Sequence, residues 1–84
     1  MRAFRFDCCY DPIEGGTAYY VVAADMPAAK AIFVAHEGSD YFVECCEEID
    51  PNEPVPVGVI GIDDDLEYVK LADKPDGTVL EFVW

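Results

Sequence analysis

The chain has 84 residues and a formal net charge of −13, from 18 Asp or Glu against 5 Lys or Arg. That length allows one domain with a thin core, and a hydrophobic content of 52% excludes a disordered acidic tail. The sign of the charge argues against binding nucleic acid or an anionic membrane, and for a basic partner surface.

At the N-terminus Phe4, Phe6, Cys8 and Tyr10 alternate with Arg5 and Asp7, the period-2 signature of a half-buried strand over 2–10. Asp11-Pro12-Ile13-Glu14-Gly15-Gly16 has turn chemistry. Thr17 to Ala24, β-branched and aromatic, reads as a second strand, hairpin partner of the first and central in the sheet because it is apolar on both faces. Asp25 reads as a helix N-cap, with Pro27 in the first turn. Ala28, Ala29, Ile32, Phe33 and His36 recur at helical spacing and Gly38 is a stop, which predicts a helix over 26–37. Tyr41 to Glu48 alternates again and is expected as a third strand. Pro51, Pro54 and Pro56 mark 50–56 as a loop. Val57 to Ile62 reads as a short strand or an extended connector and Asp63-Asp64-Asp65 as an acidic turn. Leu66 to Ala72 and Thr78 to Trp84 are expected to pair as a hairpin across Asp73-Lys74-Pro75-Asp76-Gly77. The expected fold is α+β: one antiparallel sheet of about five strands with one helix packed on it, in the order ββαβββ and in a single domain over 1–84.

Met1 to Asp7 contains no apolar signal-peptide core, and the longest apolar run, Ala18 to Ala24, is far short of the roughly 20 residues that span a bilayer. The cytoplasm of a host cell is the expected location and a monomer the expected state. Cys8-Cys9 and Cys45-Cys46 are then expected as reduced thiols, with one member of each pair in the core.

The charge is segregated along the chain. No Lys or Arg occurs in 31–69, a span that holds Glu37, Asp40, Glu44, Glu47, Glu48, Asp50, Glu53, Asp63, Asp64, Asp65 and Glu67. A charge run often serves only as a solvated, solubilising face, but such faces mix both signs. One-signed segregation points to a second role. Proteins that bind duplex DNA meet its dense phosphate charge with Lys and Arg, and a folded surface of carboxylates can occupy the same bases with little entropy to lose. These eleven acids are therefore the candidate partner-binding residues, and Tyr41, Phe42 and Tyr68 beside them are candidate apolar anchors.

Other chemistries find less in the sequence. An EF-hand loop starting at Asp63 needs Gly at its sixth position and Glu at its twelfth, where this chain has Tyr68 and Lys74. Adjacent cysteines on a strand point to opposite faces, unlike the spaced ligands of structural zinc sites. With one His, His36, and one Ser, Ser39, a nucleophile and base pair has few members to draw on. The expectation is a protein without metal, cofactor or catalytic residues. Two other readings are a mobile-element adaptor, whose acidity serves solubility, and a metal- or redox-responsive domain.

The base-free acidic span from Glu37 to Glu67, the strand-strand-helix-strand start and the closing Val79-Leu80-Glu81-Phe82-Val83-Trp84 give the chain a character similar to the small acidic anti-CRISPR proteins of phages and mobile elements. The resemblance covers size, charge and element order over the whole chain. It implies inhibition of a CRISPR surveillance complex inside a bacterial host, by occupying the Lys and Arg residues that recognise the protospacer-adjacent motif or guide the target strand. The eleven acids would then stand in for phosphates.

Overall fold

A computed structural model describes residues 2–11, 15–38, 40, 42–59 and 67–83, and for 9–11 and 15 the backbone alone. Tyr41, Asp63, Asp64, Asp65 and Trp84 lie outside the described residues. The alternating N-terminal segment forms β1 (Arg2–Asp11), paired antiparallel with β2 (Gly15–Ala23) in a register running from Arg2 opposite Ala23 to Cys8 opposite Thr17. Helix α1 (Met26–Glu37) follows, then β3 (Cys46–Ile49), β4 (Val55–Val59), β5 (Glu67–Val69), a 3-10 turn (Leu71–Asp73) and β6 (Val79–Val83). The sheet order is β3-β1-β2-β6-β4-β5.

The class is α+β, with one helix on the sheet, but four expectations are corrected. The sheet has six strands and is mixed, because β4 runs parallel to β6 at Gly58–Phe82 and Val59–Val83. The third strand begins at Cys46, not at Tyr41: 42–45 is a turn, closed by Val43 N donating to Asp40 O and Cys45 N to Phe42 O. The closing hairpin does not form. β5 pairs with β4, whereas β6 inserts between β2 and β4. The loop expected over 50–56 also ends early, since Val55 and Pro56 already belong to β4. Pro56 is tolerated because at that position β4 is paired only with β5, and the ladder to β6 starts at Gly58. Gly58 has φ 120°, a conformation that side chains rarely adopt, at the point where β4 changes partner.

α1 begins and ends where its caps dictate. The Asp25 carboxylate accepts from Ala28 N at 2.9 Å, and Gly38, at φ 78°, donates its N–H to Val34 O at 2.8 Å. An added Cβ at Gly38 meets nothing within 4 Å. Gly38→Ala is therefore expected to cost only the left-handed backbone, about 1–2 kcal/mol, read as a lower urea midpoint with unchanged slope.

The sheet is covered on both faces. On the helix side Phe4, Phe6, Cys8, Val21 and Ala23 pack against Ala29 and Phe33 of α1. Phe6 and Phe33 stack with centroids 4.2 Å apart and planes 1° from parallel, and Tyr19 meets Phe33 edge-on at 5.6 Å. On the other side Ala3, Tyr20 and Val22 pack with Val55 and Leu71, joined by Ile49, Val57, Val69, Leu80 and Phe82. β2 contributes to both clusters, which is why its sequence does not alternate. Ile49 lies at one end of the strand order and Val69 at the other, so their shared cluster shows the sheet curling over this face. Ala72 N donates to Pro51 O at 2.8 Å and ties the segment after β5 to the segment after β3. Among the described residues no helix is long and apolar enough to cross a membrane.

Candidate functional site

Among the described residues no polar or charged side chain is buried, so their carboxylates face solvent or the protein's own bases. The sheet divides the acids between two sides. In β3, Glu48 stands opposite Phe4 and Glu47 opposite Arg5, so the two point to opposite faces.

On the helix side Glu37, Glu44 and Glu48 have partners. Arg2 grips Glu48 with both ends of its guanidinium, Nε to Oε2 at 2.8 Å and Nη2 to Oε1 at 2.6 Å, while lying 5.5 Å from the Phe4 ring centroid. This fork holds the Glu48 carboxyl below its ordinary range. Lys30 reaches Glu44 at 3.6 Å. Glu37, the last residue of α1, accepts from the Tyr19 hydroxyl. Asp40 is exposed and its carbonyl closes the turn before β3. Thus bases from outside the 31–69 span offset Glu44 and Glu48.

On the opposite side Asp50 and Glu53 lie along the start of the 50–56 segment, and Glu47 is on the same face of the sheet. Asp50 fixes that segment twice: its Oδ1 accepts from Asn52 N at 2.9 Å and its carbonyl from Glu53 N at 3.2 Å. Beside them a cleft of about 240 Å³ opens, with Ile49, Pro54, Val55 and Pro56 as apolar walls and Tyr20 between them. Asp50, Glu53 and Arg5 supply its polar lining. Arg5 Nε donates to Asp7 Oδ1 at 2.8 Å. Among the described residues no ion pair within 4.0 Å engages Glu47, Asp50 or Glu53. Glu67 is exposed on β5 opposite Val57, at the far end of the strand order. Asp63, Asp64 and Asp65 are outside the described residues. Of the apolar anchor candidates, Tyr68 is 68% exposed, whereas Phe42 packs against the helix-side core.

The sequence reading missed the cleft. Its lining comes from β1, β2 and the 49–56 segment, and the one visible signal was Pro51, Pro54 and Pro56 interleaved with Asp50 and Glu53.

Of the second cysteine pair Cys46 is half-buried against the helix-side core and Cys45 exposed; Cys8 is fully buried in that core, and the side chain of Cys9 lies outside the described residues. Cys8, Cys45 and Cys46 are free thiols. His36 packs edge-on against Tyr19 at 5.5 Å. Among the described residues no three His, Cys, Asp or Glu side chains are grouped to hold a metal ion.

Burial, reinforced by the charge of Glu37, pushes the Cys8 thiol up from 9.0 to about 11. Burial likewise raises the Tyr19 and Tyr20 phenols, with Glu37 adding to the effect at Tyr19. In each case the fold favours the neutral form. The unfolded chain ionises first, so stability is complete below about pH 9 and falls as the pH rises toward about 11. Urea midpoints measured across that window are expected to drop steadily; a flat profile would contradict the burial of these groups.

Comparison with known proteins finds no matching family model, no matching curated protein and no matching solved structure. The functional reading therefore rests on the residues themselves.

Proposed function

We propose that this protein is an acidic inhibitor that occupies the DNA-binding surface of a CRISPR surveillance complex, as a mimic of the duplex or target strand. The observation that carries the reading is the placement of Glu47, Asp50 and Glu53 on one side of the sheet, within a span of 39 residues (31–69) that holds no Lys or Arg. The frame beneath them is fixed by the Asp50 turn, by Pro51, Pro54 and Pro56 and by the Ala72–Pro51 hydrogen bond. Carboxylates on such a frame lose little freedom when they meet a row of Lys and Arg. Glu44 and Glu48 are already offset by Lys30 and Arg2, so they are expected to contribute less than Glu47, Asp50 and Glu53. The protein acts by binding and performs no catalytic step.

An adaptor reading would need a contiguous apolar patch. Among the described residues Tyr68 is the one exposed large hydrophobic side chain, which favours the electrostatic reading.

The test uses the protein as bait in lysate from a bacterium that carries CRISPR systems, washed at low and at high salt. A retained CRISPR complex that salt releases, and that no longer binds its DNA target while the protein is bound, supports mimicry. Retention of no basic protein at low salt overturns it.

A further inference from the structure

We propose that the cleft beside the 50–56 segment is a socket for one arginine side chain of a protein partner. This rests on the reading of the protein as an acidic inhibitor, and it names the contact that would give that inhibitor an anchor.

The size selects the guest. At about 240 Å³ the cleft is smaller than the roughly 300–1,000 Å³ of small-molecule sites, but it suits a single long side chain. The lining selects its chemistry. Ile49, Pro54, Val55 and Pro56 offer apolar surface to an aliphatic stem, and Asp50 and Glu53 offer carboxylates to a charged head. Guanidinium is the head that best fits a half-apolar cleft, because it is weakly hydrated and its planar donors match carboxylates.

Arg5 also lines the cleft and would oppose a second cation. Its charge is outweighed: Asp7 accepts from its Nε, Glu47 stands opposite it in the β1–β3 ladder, and Asp50 and Glu53 share the cleft. One base against four carboxylates leaves a negative field at the mouth. The socket is also built in advance, since the Asp50 turn and the Ala72–Pro51 hydrogen bond fix its wall. An arginine held in such a pocket, with exposed carboxylates around it, has the arrangement of an interface hot spot.

The test titrates nitrogen-15-labelled protein with N-acetyl-arginine amide and, separately, with the neutral and nearly isosteric N-acetyl-citrulline amide. The arginine derivative is expected to give saturable shifts concentrated at Tyr20 and at Ile49, Asp50, Glu53 and Val55, with citrulline at least about tenfold weaker for lack of charge. Asp50→Asn combined with Glu53→Gln should weaken the arginine response about tenfold. The asparagine can still accept from Asn52 N, so the turn is kept. Asp76→Asn combined with Glu81→Gln removes the same charge at exposed positions away from the cleft and should leave the response unchanged. Three results would each overturn the socket: equal binding of citrulline, shifts spread evenly over acids such as Asp25, Asp76 and Glu81, or no saturation. The outcomes separate from those of the bait experiment. A protein that blocks DNA binding yet ignores arginine amide loses only the socket, and one that takes up arginine amide yet retains no DNA-binding complex loses only the mimicry.

Discussion

Phe33→Ala is expected to leave much of the protein unfolded under conditions where the parent is folded. Phe33 is fully buried, stacks on Phe6 at 4.2 Å and receives the edge of Tyr19 at 5.6 Å, so it is the main peg by which α1 holds the sheet. Truncating a buried Phe costs about 3–5 kcal/mol. At roughly 0.05–0.15 kcal/mol per residue an 84-residue domain has only about 4–13 kcal/mol in total, and repulsion among the excess carboxylates acts against it. Circular dichroism during urea unfolding should show the loss as a midpoint near zero denaturant. Phe33→Leu, which keeps most of the volume, should cost less than about 1.5 kcal/mol. Added salt should restore part of the loss in both variants by screening the repulsion. A full-strength transition for Phe33→Ala would mean that the helix does not depend on this ring.

The second large effect is expected on binding. Glu47→Lys combined with Glu53→Lys reverses two charges in the group around the cleft, and should weaken retention of the basic partner by at least about a hundredfold at low salt. The loss should shrink as salt rises, because exposed charges are screened. Glu48→Gln is the informative contrast. Arg2 already offsets that carboxylate through a two-point contact, so its removal should change partner binding little. If Glu48→Gln and the double reversal were equally damaging, the partner would engage the helix side as well, and the division of acids by the sheet would not set the binding face. The reversals lie at exposed positions, so circular dichroism should find the fold intact.

Local features of this protein were legible because local physics sets them. Asp25, Pro27 and Gly38 bound the helix at the expected residues, since caps act within a single turn. The alternation of Phe4, Phe6 and Cys8 and the unbroken apolar run of β2 gave the first hairpin and the central position of its second strand. What failed was pairing at a distance. Asp76-Gly77 has hairpin chemistry, yet Gly77 N donates to Val22 O and Val22 N to Thr78 O, so the turn delivers β6 to β2 instead of returning it to β5. The alternation of 41–48 also misled, because a turn over 42–45 uses up backbone groups that a strand would offer to β1. The candidate site shows the same split. The acids could be named from the sequence, but not their sorting by face. The parity of Glu47 and Glu48 against β1 depends on register, and the cleft depends on how the 49–56 segment packs over Tyr20.

The placement of β6 has a consequence for how the chain is made. β6 lies between β2 and β4, and it joins the β3-β1-β2 half of the sheet to the β4-β5 half. It is also synthesised after every strand it joins. While 79–83 is still unmade, each half presents an open edge where β6 belongs, and the β1–β2 hairpin can dock its helix but cannot complete the sheet. Folding during synthesis is therefore expected to pause at a partly assembled hairpin and helix, with the long-range pairing of Thr17 with Val83 formed late. A strong negative charge is useful in that interval. Nascent copies with exposed strand edges repel one another, so the acidity guards the unfinished chain against aggregation.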